Sequence, residues 1–146
     1  MKLLVFLCFC ACCSYSFISK SSTPDVIVPL KITNVRSAEG NMVLGFYKDN
    51  ASFSKRQPFM SKTYSKKNLK NGVVVYNIEL PNGTYGIALL DDENKNGKVD
   101  YGFILPNEGF GFSNYYHRGL TSPNFDRFAF QVDGSGKEVV VKMKYM

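Results

Sequence analysis

The chain of 146 residues contains no tryptophan, and its only histidine is His117. All four cysteines fall within the first 13 residues, and no G-x-S-x-G pattern is present. These absences exclude a cysteine nucleophile in the body of the chain, a site built on two histidines, and the nucleophile elbow of α/β hydrolases. We therefore expect that the protein is not an enzyme. A reaction that depends on Glu108 and His117 is the alternative.

Long apolar runs are also missing, apart from residues 3–13. This run follows the single basic residue Lys2 and precedes the small residues Ser14 and Ser16, which is the order of a secretory signal peptide. It is too short to span a membrane, which needs about 20 apolar residues. We expect residues 1–16 to be a signal peptide, residues 17–146 to form one domain, and the protein to be periplasmic or extracellular.

Cleavage of the signal peptide also removes all four cysteines. The mature domain is therefore expected to have no disulfides, although it enters an oxidising compartment. In a second interpretation, Cys12 or Cys13 becomes a lipid-anchored N-terminus. The residues before these cysteines fit a lipoprotein signal poorly. Neither interpretation leaves a transmembrane span in the mature chain.

Acidic residues are scarce in one region of this basic chain, whose formal net charge is +6. Between residues 48 and 70, Asp49 is the only acid among seven basic residues. Basic patches attract nucleic acid or anionic surfaces, and export argues against nucleic acid. We interpret residues 48–72 as a solvated crossover loop, with anionic glycan or lipid headgroups as the functional alternative. The basic residues are Lys48, Lys55, Arg56, Lys62, Lys66, Lys67 and Lys70.

Helical apolar periodicity is absent, and apolar residues alternate with a period of two in six segments. Such alternation buries one face of a β-strand, and the glycine-rich turns between segments are typical of hairpins. We predict three hairpins, a possible seventh strand over residues 101–105, and an all-β fold, a single antiparallel β-sandwich of about seven strands. The six segments span residues 26–32, 42–46, 74–80, 85–89, 128–132 and 139–145.

Acidic and amide side chains are concentrated in DDENKNGKVD, residues 91–100. With Asp92 as position 1, oxygen-bearing side chains occupy positions 1, 3, 5 and 9, and Gly97 at position 6 allows a sharp turn. Calcium takes six to eight oxygen ligands, and the carbonyl at position 7 can add one. We predict a calcium site of modest affinity, about 10⁻⁴–10⁻³ M. Its ligands are Asp92, Asn94, Asn96, the carbonyl of Lys98, and Asp100.

This loop is not an EF-hand, because Phe103 stands where the closing Glu would be. The spacing instead resembles the shorter calcium loops between β-strands of propeller repeats in adhesion receptors. The alternative is a metal-free stack of Asx-turns, in which Asp and Asn side chains bond their own backbone. Lys95 and Lys98 would then supply the countercharge.

The segment PNEGFGFSNYYHRG, residues 106–119, alternates glycine with aromatic residues. In one interpretation its exposed aromatics bind a sugar or peptide, although the lack of tryptophan weakens a carbohydrate site. In the other, the favoured one, it folds back and closes one end of the sandwich. His117 is interpreted as a surface loop residue. The candidate ligand-binding residues are Glu108, Phe110, Phe112, Tyr115, Tyr116, His117 and Arg118.

The phrases VRSAEGNMVLGFY, LPNGTYGIALLDDENKNGKVD, PNEGFGFSN and SPNFDRFAF occur in this order. Together they resemble the bacterial family called domain of unknown function 2141, over about residues 26–145. The resemblance implies an exported protein with a transthyretin-like or immunoglobulin-like sandwich and no established function. One departure is Asp91, where the family usually has His. Any role of that His is therefore absent here, and the additional acid is expected instead to strengthen a cation site.

Two functions of different classes follow. The first is a calcium-binding β-sandwich that interacts with a protein or glycan at the cell envelope. The second is a carrier of a small apolar or aromatic molecule, with the glycine-aromatic segment lining its pocket.

Overall fold

The computed structural model describes residues 25–96, 108–119 and 121–146. The predicted signal peptide, the end of the acidic loop with Lys98 and Asp100, and the possible strand over residues 101–105 lie outside these residues.

The described residues form eight strands and little helix. The strands are β1 (Val26–Thr33), β2 (Asn41–Tyr47), β3 (Met60–Ser65), β4 (Val74–Leu80), β5 (Gly83–Asp92), β6 (Gly109–Phe112), β7 (Ala129–Val132) and β8 (Val139–Lys142). A short helix, α1 (Asn50–Ser54), precedes β3, and a 3-10 turn (Phe125–Arg127) precedes β7. Across residues 25–96, 108–119 and 121–146, no helix is long and apolar enough to cross a membrane.

The strands form two sheets. One has the order β4-β1-β8, in which β1 and β8 run parallel. The other has the order β3-β2-β5-β6, with β7 paired to the first half of β5. The all-β prediction is therefore confirmed. The prediction of one purely antiparallel sandwich of about seven strands is confirmed only in part, because the described residues form eight strands in two sheets and one pair is parallel.

The three predicted hairpins are wrong, although their six strands are present. β1 pairs with β4 and β8, whereas β2 pairs with β3 and β5, so each predicted hairpin has its two strands in different sheets. Period-two alternation shows which face of a strand is buried but not which strand lies beside it. Both sheets bury the same kind of face, so a short turn can connect strands across the core.

Residues from both sheets form the main core, which includes Leu30, Leu44, Ile78, Ile87 and Val141. A second, aromatic cluster contains Tyr47, Phe112, Phe125 and Phe128. Ala88 packs against this aromatic cluster, whereas its neighbours Ile87 and Leu89 lie in the main core. Because successive strand residues point to opposite faces, β5 is covered on both sides. The strand that leads into the acidic loop is thus well anchored.

The solvated-loop interpretation of residues 48–72 is wrong in its central part. Asp49 caps α1 by accepting a hydrogen bond from Ser52 N at 2.7 Å, and β3 follows as an edge strand. Lys62 lies within β3, which is half-buried on one face, and Lys66 just beyond it is fully buried. Lysine is common on edge strands, where it discourages pairing with other chains. Because β3 is mostly polar, it lacks the alternation of apolar residues by which the other strands were predicted.

Candidate functional site

The acidic loop begins inside a strand. Asp91 and Asp92 are the last residues of β5 and pair with Met42 and Asn41 of β2. Asp91 also pairs with Gly109 of β6 on the other side. The strand ladder therefore places the start of the acidic loop beside the glycine-aromatic segment, although seventeen residues lie between Asp91 and Gly109 in the sequence.

The first half of the loop has a defined hydrogen-bond geometry. The Oδ1 atoms of Asp92 and Asn94 both accept from the backbone N–H of Asn96, each at 3.0 Å. The oxygens at positions 1 and 3 thus converge on one point. A metal-free Asx-turn makes the same bonds. In the part of the chain that the structure describes, no three His, Cys, Asp or Glu side chains are grouped as a metal site; Lys98 and Asp100 lie outside that part.

Glu93 is turned away from these oxygens and forms a salt bridge with Arg36. Arg36 donates through Nε to Glu93 Oε1 at 2.9 Å and through Nη2 to Oε2 at 2.6 Å. Hydrogen bonding by this guanidinium lowers the pKa of the Glu93 carboxyl below its ordinary value. Glu93 is therefore ionised at neutral pH, with its charge compensated outside the candidate calcium ligands.

Gly40 supports the base of the loop by close backbone contact. A Cβ atom at this position would lie 2.0 Å from the carbonyl oxygen of Asp92 and 2.5 Å from Glu93 Cα. Its φ of +78° also favours glycine. The loop from β1 to β2 can therefore lie against the end of β5 only because residue 40 has no side chain.

We expect Gly40→Ala to destabilise the protein by about 1–3 kcal/mol more than Gly134→Ala. Gly134 has a similar φ of +85° but no atom within 4 Å of an added Cβ, so it carries the backbone strain without the clash. Urea denaturation of the two variants measures the difference. Equal destabilisation would show that the contact with Asp92 is unimportant.

A buried polar network that was not predicted from the sequence lies next to the loop. Lys66 and Asp91 are both completely buried, and Lys66 Nζ donates to Asp91 Oδ1. Tyr145 donates its hydroxyl proton to Asp91 Oδ2, with 2.6 Å between the oxygens. Both carboxylate oxygens of Asp91 are thus engaged. The expectation that Asp91 strengthens a cation site is wrong, because its charge faces Lys66 instead.

Aromatic side chains surround this network. The rings of Tyr64 and Tyr76 stack with centroids 4.5 Å apart, and the Arg36 guanidinium carbon lies 4.5 Å from the Tyr145 ring centroid. Burial, with the charge of Asp91 as a further cause, raises the pKa of Tyr76 to about 12. Burial and the hydrogen bond to Asp91 raise the pKa of Tyr145 well above its ordinary value. Both hydroxyls therefore stay protonated at neutral pH.

One pattern in the sequence could have indicated that Lys66 is buried. Met60, Lys62 and Tyr64 lie on the half-buried face of β3, and Lys66 is the next residue in that period of two. Lysine is rarely buried, so the many lysines of this stretch favoured a solvated loop over a strand. No such pattern pairs Lys66 with Asp91, because that contact depends on how β2 lies between their strands.

The glycine-aromatic segment is largely a packing element. Phe112 is buried, with its ring 5.1 Å from Phe128 and 6.0 Å from Phe53. Added Cβ atoms at Gly109 and Gly111 would lie 2.2 Å from Tyr145 Cε1 and 2.5 Å from Val141 Cγ1. The glycines thus let the end of the chain approach β6. This geometry favours the interpretation that the segment folds back against the protein.

His117 is not a surface residue, which corrects the sequence interpretation. It is only 9% exposed, and its ring centroid lies 5.9 Å from Phe112, 5.9 Å from Tyr115 and 6.5 Å from Phe110. Both imidazole nitrogens are buried without a hydrogen-bond partner. The aromatic residues that precede His117 in the sequence thus fold around it.

The remaining candidate ligand residues do not share one surface. Glu108 is buried, whereas Tyr116 is 41% exposed and Arg118 is also exposed. An open cleft is lined by Lys95 of the acidic loop and by other polar residues such as Glu39 and Lys67. None of its lining residues belongs to the glycine-aromatic segment.

Comparison with known proteins gives one match. No curated protein and no solved structure matches the chain. The model of the family described as "Uncharacterized protein conserved in bacteria (DUF2141)" matches residues 30–140, which include β2 to β7, parts of β1 and β8, and the acidic loop. The chain therefore belongs to this bacterial family of uncharacterized proteins, as the order of its motifs predicted.

Proposed function

We propose that this protein is an exported β-sheet module that binds calcium through its acidic loop and interacts with a protein or glycan at the cell envelope. The ligands are Asp92, Asn94, Asn96, the Lys98 carbonyl and Asp100. The convergence of the Asp92 and Asn94 oxygens on one backbone N–H, each at 3.0 Å, is the observation that supports this function best. In a calcium loop, the side-chain oxygens at positions 1 and 3 must likewise point towards one centre, the ion.

The anchoring of Asp92 adds to this support. Asp92 is the last residue of β5, is 2% exposed, and has Gly40 packed against its carbonyl group. A ligand that is held in place before binding loses less conformational entropy when the ion arrives. Asp91 is neutralised by Lys66, so the formal charge of the site comes from Asp92 and Asp100.

Strand pairing connects the candidate calcium loop to the proposed interaction surface. The loop begins at the end of β5, which pairs directly with β6 and thus with the glycine-aromatic segment. Tyr116 and Arg118 at the end of that segment are exposed and suit contact with a polar partner. In this proposal, calcium fixes the end of the β-sheet module and orders residues 106–119, and so stabilises this surface.

Calcium titration of the purified protein tests the proposal. With a Kd of about 10⁻⁴ M, about 10 mM calcium should stabilise the fold by roughly 2.7 kcal/mol. A thermal melt in calcium and in chelator measures this shift, and isothermal calorimetry measures binding directly. The double variant Asp92→Asn, Asp100→Asn should lose the response, since it removes both formal charges.

Glu93→Gln is the matched control, because Glu93 lies in the same stretch but bonds to Arg36. It should keep the calcium response. An absence of both a melting shift and heat of binding would contradict the calcium site. An equal response in the double variant would place the ion elsewhere.

A further inference from the structure

The buried network of Lys66, Asp91 and Tyr145 is not used by the proposed calcium site. Lys66 and Asp91 have side chains with no solvent exposure, and Lys66 Nζ contacts Asp91 Oδ1. Burying two opposite charges carries a large desolvation cost, which their attraction offsets only partly. Tyr145 holds the other carboxylate oxygen of Asp91, so the carboxyl carbon is fixed next to the Lys66 nitrogen. An amine held against a carboxyl group in water-excluded surroundings has the components of an amide bond.

The strand arrangement holds this pair in place. Lys66 directly follows β3, and Asp91 lies near the end of β5, with β2 between the two strands. Met42 of β2 pairs with both Tyr64 and Asp91, so the Lys66 side chain passes the end of β2 to reach the carboxyl. Because β3 and β5 both pair with β2, the two groups are held close together, which gives their reaction a high effective concentration.

We propose that Lys66 and Asp91 form an intramolecular isopeptide bond. A proton passes from Lys66 Nζ to Asp91 Oδ1, which leaves a neutral amine beside a neutral acid. The amine lone pair then forms a bond to Asp91 Cγ, and the second electron pair of the Cγ–Oδ2 bond moves onto Oδ2. The nitrogen loses a proton to the Oδ1 hydroxyl, the electron pair on Oδ2 re-forms the double bond to Cγ as the Cγ–Oδ1 bond breaks, and one water leaves. The product is an amide with Oδ2 as its carbonyl oxygen, and no oxidant or cofactor is required.

Tyr145 is the catalytic residue of this step. Its hydroxyl donates to Asp91 Oδ2 at 2.6 Å, which is the oxygen that gains negative charge when the amine adds to Cγ. A fixed donor at a developing oxyanion stabilises the transition state. Arg36 lies over the Tyr145 ring, and its backbone N–H donates to the same hydroxyl at 3.2 Å. These contacts hold the phenol in position.

The bond would tie β3 to β5 across β2, at the base of the acidic loop. All cysteines lie in the first 13 residues, so no disulfide can connect these strands. An amide supplies the covalent connection without redox chemistry. It also removes the two charges from the buried site and therefore their desolvation cost.

Mass spectrometry of the denatured full chain tests this proposal. The wild-type chain should be lighter than its sequence mass by one water, and a tryptic digest should contain one branched peptide that joins the Lys66 and Asp91 segments. Lys66→Arg should have its full sequence mass. Lys67→Arg changes the exposed neighbouring lysine and should keep the loss of water.

One other reaction must be distinguished from the isopeptide bond. The Asp133-Gly134 sequence can form a succinimide, which also loses one water but produces no branched peptide. Loss of water that persists in Lys66→Arg, or a wild-type chain with its full mass and no branched peptide, would overturn the proposal. The wild-type digest decides the question even if Lys66→Arg does not fold.

Tyr145→Phe tests the catalytic role separately. The variant should form the bond slower by roughly two orders of magnitude, because one oxyanion donor is removed. The chain is made by chemical synthesis, so that it starts without the bond, and the loss of water is followed over time after the chain folds on dilution from denaturant. Tyr116→Phe alters an exposed tyrosine and should react at the wild-type rate. An unchanged rate in Tyr145→Phe would remove Tyr145 from the reaction.

Discussion

Replacing Lys66 with methionine is expected to lower the free energy of unfolding by about 3–5 kcal/mol, because it removes one partner of a buried ion pair and leaves the buried Asp91 carboxyl without its cation. Methionine keeps much of the length of the lysine side chain, so the loss of charge rather than of volume dominates. Urea denaturation at neutral pH, followed by circular dichroism, measures the change. Loss of the proposed isopeptide bond in this variant would lower the free energy of unfolding further.

Two further variants show whether the loss of stability comes from the buried ion pair. Lys67→Met removes an exposed charge one residue later and should change stability by less than about 0.5 kcal/mol. The double variant Lys66→Met, Asp91→Leu should be less destabilised than Lys66→Met alone, because no uncompensated charge remains. If Lys66→Met stays within about 1 kcal/mol of the wild type, the pair has little importance for the fold.

Phe128→Ala is expected to destabilise the protein by about 3–5 kcal/mol through the cavity it leaves in the aromatic cluster. Phe128 is completely buried, with its ring 4.8 Å from Phe53, 5.1 Å from Phe112 and 5.5 Å from Phe125. A Cβ atom at Gly86 would lie only 2.5 Å from Phe128 Cε2. This contact shows how closely the ring covers β5.

Phe59→Ala is the control for this prediction. Phe59 is 46% exposed, so its truncation should cost only about 1 kcal/mol, near half the value of a fully buried apolar side chain. Thermal or urea denaturation of both variants gives the comparison. Similar losses in the two would show that the aromatic cluster contributes no more than an ordinary surface contact.

The strand positions could be predicted because they depend on local pattern. Alternating residues such as Val28, Leu30 and Ile32 must face the core whichever strand lies beside them, and all three are buried. The order of motifs likewise predicted the family, which needs no knowledge of contacts. In the acidic loop, the spacing of Asp92 and Asn94 predicted that their oxygens converge, because neighbours in the chain remain close in space.

Strand pairing could not be predicted in the same way. The turn at Pro81 and Asn82 suits a hairpin, yet it connects β4 and β5 in different sheets. Pairing is decided by how the whole set of apolar faces is buried at once. The local preference of a two-residue turn is small compared with the free energy gained by burying these faces.

Local patterns in the sequence are enough to predict an all-β chain, the positions of six strands, membership of the family, and the acidic loop as the candidate calcium site. Three contacts are visible only in the folded protein: Lys66 with Asp91, Tyr145 with the same carboxyl, and the aromatic rings with His117. The physical reason is separation along the chain. Lys66 and Asp91 are 25 residues apart, and Asp91 and Tyr145 are 54 apart, so each contact exists only after β2, β5 and the C-terminal residues have packed together.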